Sequence, residues 1–171
     1  MDLIVTKQGD IWQAACAGKV WRAGVGRSGI GVKRIEGDGI SPLGCWPIRR
    51  VLFRADKLAT APVSVFPTDA IAMDDGWCDA PAHPDYNRPV KRPFAASHEA
   101  LWRGDDLYDI VVVLGHNDDP VLPGAGSAVF LHVASPGYGP TEGCATLSRA
   151  DLLAFLALAR PETRLCFRDI G

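Results

Sequence analysis

The chain has 171 residues, 47% of them hydrophobic, which suits one globular domain spanning residues 1–171 and leaves little room for a second. Its formal net charge of −2, with 22% charged residues, excludes the basic footprint of a nucleic-acid binder, so no nucleic-acid partner is expected. Eighteen Gly and 13 Pro point to many turns and a mainly β fold rather than a helical bundle.

The N-terminal stretch MDLIVTKQGDIWQAA has no basic n-region, long apolar run or small-residue cleavage site, so no signal peptide is read in it. Leu3 to Ala15 reads as a strand pair turning at Gln8-Gly9-Asp10. Lys19 to Val25 is another short strand, followed by the glycine-rich loop Gly24 to Gly31 (GVGRSGIG). That loop lacks a GxxxxGK[ST] match, which argues against nucleotide binding. Ile48 to Phe53 is expected to form a strand after Pro47. Residues 54 to 106 are irregular and proline-rich, with one short helix expected near Ser97 to Arg103. Tyr108 to Leu114 (YDIVVVL) has the apolar, β-branched character of a buried central strand, and Ser127 to Ala134 (SAVFLHVA) is a second. A turn-rich loop from Pro136 to Gly143 ends at Cys144. Ser148 opens the one clear helix, DLLAFLALAR, with Ser148 and Asp151 as its cap and Pro161 as its stop. Thr163 to Arg168 is a closing strand. No segment is long and apolar enough to span a bilayer, and a soluble monomer is expected.

Five cysteines are present, so at least one thiol is unpaired unless it bridges to another chain. No CxxC pair occurs, and no metal site is expected. Cys16, Cys45, Cys78 and Cys166 read as small buried hydrophobes. Cys144 stands apart. In FLHVASPGYGPTEGCATL, from Phe130 to Leu147, His132 lies near the end of a buried strand and Cys144 follows a Pro/Gly loop that can fold back toward it. A free thiol, with a pKa of ~8.5, is mostly protonated at neutral pH, and a neighbouring imidazole can take its proton and make it a strong nucleophile. Gly143 permits a sharp turn that would aim the amides around Gly143 and Cys144 at a developing oxyanion. A lone Cys near a His is more often a packing residue. The local T-E-G-C sequence followed by a capped helix shifts the balance toward catalysis.

The run from His132 through Thr141-Glu142-Gly143-Cys144 resembles the signature of the YkuD-type L,D-transpeptidases, a His, a loop of a dozen or more residues, and Ser/Thr-His-Gly-Cys. The segment Gly37 to Pro47 (GDGISPLGCWP) resembles that family's earlier Thr-Pro-x-Gly element, with Ser41-Pro42 in place of Thr-Pro, and Gly26 to Lys33 resembles the preceding glycine-containing loop. The resemblance implies a β-sandwich or barrel-like catalytic domain with one or two short helices. It implies Cys144 as nucleophile on a peptidoglycan stem-peptide carbonyl, His132 as base, Gly143 in the oxyanion region and Thr141 at the Ser/Thr position. It also implies no cofactor, diaminopimelate-containing stems as partners, a periplasmic site of action with the cytoplasm as the alternative, and a thiol that carbapenems acylate. Three features depart from the pattern: Glu142 replaces the second His, Thr146 stands where Asn or Arg is common, and the His-to-Cys loop is short. They resemble a short, signal-less proteobacterial branch, linked either to 3–3 cross-links or to links from L-Ala at position 1 to diaminopimelate at position 3. A hydrolase on the same scaffold and a non-catalytic wall-binding module are the alternatives.

Other residues carry two readings each. His116 and Asn117 follow the YDIVVVLG strand, either binding a substrate carboxylate (with His116 a rival to His132 as base) or serving as turn residues. Tyr108 either lines the pocket or packs. Glu142 is a candidate substrate contact. Trp77-Cys78-Asp79 and Asn87 form a polar-aromatic patch that either caps the cleft or packs. Arg49, Arg54 and Arg103 are expected in surface ion pairs, with stem-peptide carboxylates as the alternative partners. Asp118 and Asp119 read as solvated loop charges or as contacts to the amine of diaminopimelate, and His83 and His98 as exposed loop residues.

Overall fold

The computed structural model describes residues 1–169. The N-terminal third folds as expected into an antiparallel meander: β1 (Leu3–Gln8), β2 (Ile11–Cys16) and β3 (Lys19–Ala23). Two short strands follow, β4 (Ile30–Gly31) and β5 (Ser41–Pro42), and then the long β6 (Gly44–Phe53). β6 starts well before Pro47, longer than the sequence predicts. The middle of the chain supplies β7 (Thr68–Ala70), β8 (Asp75–Cys78), β9 (Pro89–Lys91) and β10 (His98–Ala100). The last third holds β11 (Ile110–Leu114), β12 (Phe130–Val133), β13 (Ala145–Leu147), the helix α1 (Arg149–Leu158) and β14 (Arg164–Phe167).

Nine strands form one sheet in the order β13-β12-β11-β6-β14-β1-β2-β3, with β7 paired to β6 off that path. Its two ends meet. Gly24, just past β3, exchanges hydrogen bonds of 3.0 and 2.9 Å with Thr146 in β13, so the sheet comes close to a barrel. A Cβ at Gly24 would lie 2.4 Å from Thr146 Oγ1, which is why a glycine serves at the seam. β8, β9 and β10 form a separate three-stranded sheet, and β4 pairs with β5 in parallel.

The IVVVL run of β11 is apolar throughout because both faces of this strand are covered. Ile110, Val112 and Leu114 face the main core with Leu3, Val51, Leu131, Leu147, Leu165 and Phe167, which Leu152, Phe155 and Leu156 of α1 close off. Val111 and Val113 face a second cluster with Leu52, Trp77, Leu101, Tyr108, Phe130 and Cys144. The helix begins as the sequence indicates, with the Asp151 amide donating to Ser148 Oγ at 3.1 Å, and ends at Ala159, ahead of Pro161.

Three expectations are corrected. No helix forms near Ser97 to Arg103; His98–Ala100 is β10, paired antiparallel with β8, and that cross-strand pairing overrides the helical preference of the local sequence. His98 is therefore a half-buried strand residue rather than an exposed loop one. Cys45 and Cys166 are joined in a disulfide rather than lying as separate buried thiols. They oppose each other in the β6–β14 ladder, 121 residues apart in the chain, a pairing that only the tertiary register creates. Cys16, Cys78 and Cys144 are free and buried.

Candidate active site

The parallel β12–β13 ladder pairs Leu131 with Ala145 and His132 with Thr146. Cys144, one residue before Ala145, consequently lies beside Phe130, whose amide donates to Cys144 Sγ at 3.4 Å. Phe130 and His132 are two residues apart on one strand and share a face, about 6.6 Å apart along it. Cys144 and His132 thus reach the same side of the sheet and line the same cavity, of about 310 Å³, with Glu99, Arg103, Tyr108, Thr141, Glu142 and Thr146. Cys144 also lines a second cavity of about 290 Å³, which His132 does not reach.

No hydrogen bond joins the two groups at rest. Cys144 Sγ donates to the Ala128 carbonyl at 3.2 Å, and His132 Nδ1 bonds the Val133 carbonyl at 3.0 Å. Because that partner is an acceptor, Nδ1 carries the ring proton and the neutral ring presents an unprotonated Nε2. Burial lowers the His132 pKa to about 4, although the Val133 and Leu107 carbonyls oppose the shift. Burial likewise raises the Cys144 thiol to about 12, and the negative charge of Glu99 adds to the rise. Near neutral pH the pair is therefore thiol and imidazole, not thiolate and imidazolium.

The loop carrying Cys144 is held from several sides. Thr141 Oγ1 donates to the Cys144 carbonyl at 2.8 Å and accepts from the Gly143 amide at 3.1 Å, so Thr141 braces the turn and the Gly143 N–H is already engaged. Gly143 has φ +140°, and a Cβ there would lie 2.8 Å from the Ile40 carbonyl. Ser41 is fully buried; it donates to the Gly143 carbonyl at 2.9 Å and accepts from the Gly26 amide at 2.9 Å. The backbone of Arg27 donates to the Thr141 carbonyl at 2.7 Å. The two upstream segments singled out in the sequence thus pack directly on the cysteine loop. Glu142, strongly exposed, pairs with Arg27 at 3.1 Å and borders both cavities.

Within the β8–β10 sheet Trp77 packs edge-on against Phe130, with ring centroids 5.1 Å apart and in the same buried cluster as Cys144, while Asp79 lines the second cavity. Asn87 pins the sheet: its Oδ1 accepts from Trp77 Nε1 and from the Ala128 amide, both at 3.0 Å, and its Nδ2 donates to the His116 and Asn117 carbonyls. Tyr108 stacks edge-on against His132 with ring centroids 5.1 Å apart and donates to Glu99 Oε2 at 2.6 Å. Glu99 touches both cavities, and burial raises its pKa. Lys33 enters from the other side, its ammonium 2.7 Å from Asp38 Oδ1. Sequence reasoning missed Glu99 and Lys33, which lie 45 and 111 residues from Cys144, and no local pattern marks either one.

His116 and Asn117 line neither cavity at Cys144. His116 is buried edge-on against Trp46 with Nδ1 unpartnered, and burial, with Lys33, lowers its pKa to about 4. Asn117 organises its own loop, bonding the Leu122 amide and the Leu122 and Gly126 carbonyls. Arg49 pairs with Asp118, and Arg103 with Asp105. Arg54 pairs with Asp56 but is buried over the Trp102 ring rather than lying on the surface. Among the described residues, the one cluster of metal-ligand types is Asp2, Cys45 and Cys166, and its two sulfurs are committed to the disulfide. Among the described residues, no helix is long and apolar enough to cross a membrane.

One protein-family model matches residues 4–165, nearly the whole chain; it describes YkuD, the L,D-transpeptidase catalytic domain. No curated protein and no solved structure matches.

Proposed function

Because the chain belongs to the YkuD family of L,D-transpeptidase catalytic domains, we propose that it is a single-domain cysteine acyltransferase that cross-links peptidoglycan stem peptides. The observation that carries this reading is that His132, on β12, and Cys144, on the loop that enters the adjacent β13, open onto one cavity. In the first step Cys144 Sγ bonds to the donor carbonyl carbon and its proton passes to His132 Nε2. The Cys144 amide has no hydrogen-bond partner among the described residues and is the donor offered to the developing oxyanion. Collapse of the tetrahedral species breaks the bond to the leaving amine, which takes the proton from the imidazolium and leaves a thioester. In the second step the acceptor amine attacks the thioester and His132 takes its proton. The C–S bond then breaks and the thiol is restored. Since the resting pair is neutral, proton transfer accompanies attack, once substrate has drawn the thiol away from the Ala128 carbonyl.

Tyr108 and Glu142 border the cleft as substrate contacts, and Thr141 holds the cysteine turn. Two cavities meeting at one sulfur favour transfer between two peptides over hydrolysis by water. The links are of the 3–3 or 1–3 type, formed on diaminopimelate-containing stems. The Cys45–Cys166 disulfide suits an oxidising compartment, which supports the periplasm as the place of action. The test is muropeptide profiling with purified protein beside Cys144→Ala. A dimer made by the wild type and absent with the variant supports transfer. A shortened monomer means a hydrolase. No product, and no carbapenem adduct on Cys144, would mean a non-catalytic wall-binding module.

A further inference from the structure

A third cavity, of about 460 Å³, lies away from the reaction: neither Cys144 nor His132 lines it. Its size falls in the range of about 300–1,000 Å³ typical of small-molecule sites. The floor is apolar, made by Leu52, Leu101 and Val113 with the indole of Trp77, and Ala70 and Pro89 stand exposed at the rim. Arg49, Arg50 and Arg88 line it as well. Successive residues on a regular strand point to opposite faces. Arg49 and Arg50 escape that rule because the β6–β11 ladder shifts register there. Val113 pairs with Arg50 and Leu114 with Ile48, so Arg49 is the extra residue of a bulge, and both guanidinium groups reach one cavity. Gly115 leaves room for the bulge, since a Cβ there would lie 2.6 Å from Arg49 Nε. Three carboxylates line the same wall. Asp118 is held by Arg49 at 2.7 Å and Asp75 by Lys91 at 2.6 Å (a lysine it shares with Asp74), while Arg50 reaches Asp69 only at 3.6 Å. Arg88 is exposed and has no ion-pair partner among the described residues. It is the one cation of this wall without a carboxylate.

We propose that this cavity binds a small organic carboxylate, with an apolar body resting on Leu52, Trp77 and Val113 and its charged end on the guanidinium of Arg88. Arg50, only loosely engaged, is the second donor on the wall. A planar guanidinium grips a carboxylate through two parallel N–H···O bonds. The apolar body leaves water as it covers the floor. A neutral apolar molecule would leave Arg88 unmatched, and a wholly hydrophilic anion would gain nothing from the floor. The site stands apart from the acyl-transfer reading, because no residue given a part in that reaction lines it.

The probe is 2-naphthoate, and its control is 2-naphthamide, which has the same rings and no charge. Each is titrated into the whole isotope-labelled chain and followed by NMR at the Trp77 indole N–H, which donates to Asn87 Oδ1 at 3.0 Å in the wall of this cavity. The naphthoate should shift that resonance saturably and bind roughly threefold to tenfold more tightly than the amide, as suits a charge-assisted contact at an exposed arginine. In Arg88→Gln the two should bind within about twofold of each other. Ala70→Phe, which adds a ring at the rim, should weaken both by at least about fivefold, as a filled cavity requires. No saturable shift, equal affinities in the wild type, or an undiminished preference in folded Arg88→Gln overturns the proposal. So does binding that Ala70→Phe leaves intact, which would place the probe elsewhere. None of these outcomes bears on acyl transfer, which muropeptide profiling tests separately.

Discussion

The ionisation of Cys144 makes a quantitative prediction about its reactivity. With the thiol at about 12, the thiolate fraction at pH 7 is roughly 1 in 100,000, against about 3% for an ordinary cysteine near 8.5. That deficit, about 3,000-fold, is partly offset because a more basic thiolate is more nucleophilic. A Brønsted slope of ~0.45 over the interval returns about 40-fold. Iodoacetamide should therefore alkylate Cys144 roughly a hundredfold more slowly than a free cysteine at pH 7, before any steric effect. The rate should climb about tenfold per pH unit from 7 to 10 with no plateau. His132, already neutral above about 4, should add no step near 6.5. Glu99→Gln removes a negative charge that opposes the thiolate, so its curve should lie above the wild type throughout. The assay is peptide mass spectrometry at Cys144 across pH, since Cys16 and Cys78 are also free. A plateau reached below pH 8 would mean a thiolate–imidazolium pair at rest and would refute the reasoning. Slower alkylation in Glu99→Gln would do so too.

Three further outcomes are expected. Ser41→Ala should cost ~1–3 kcal/mol by stranding the Gly26 amide and the Gly143 carbonyl, and should lower Cys144 acylation more than global stability accounts for, as melting and intact mass together would reveal. Burial alone would raise the Asp38 carboxyl, but Lys33 and the amides of Ile40, Arg34 and Ile35 bring it down to about 2. Its stabilising contribution is thus complete above 3.8 and lost as pH falls toward 2; melting temperature should drop across that window in the wild type and drop less in Asp38→Asn, which itself should cost ~3–5 kcal/mol at pH 7. Replacing both Cys45 and Cys166 by Ala opens a loop of 121 residues, worth up to ~4.9 kcal/mol by chain entropy, and calorimetry should record a melting temperature lower by roughly 10–20 °C.

The strands of the closing sheet were legible where local pattern and final environment agree. LIVTKQ and IWQAAC turn at a glycine, and IVVVL is apolar throughout because two clusters cover it. The helix was legible from its cap. His98–Ala100 was not, because its strand character comes from β8, about twenty residues upstream in the chain. The site divides in the same way. His132, Thr141, Gly143 and Cys144 fall within thirteen residues and carry a recognisable order. Glu99, Lys33, Ser127 and Asp79 line the same cavity as Cys144 from four separate segments, and single polar residues scattered in this way leave no periodic trace. His116 looked like a site residue for its chemistry and its place at a strand end. Its ring instead packs on Trp46, which lies on β6, a neighbour that only the fold supplies.

In the β12–β13 ladder, rungs of the sheet and not the length of the intervening chain fix how far the imidazole stands from the sulfur. The connection from Ala134 to Gly143 is free to change in size and composition, provided that Thr141 and Gly143 keep their anchoring ends. On the proposed acyl-transfer reading, the outer part of that connection, around Pro136 to Gly139, could therefore be lengthened without moving the imidazole or the sulfur.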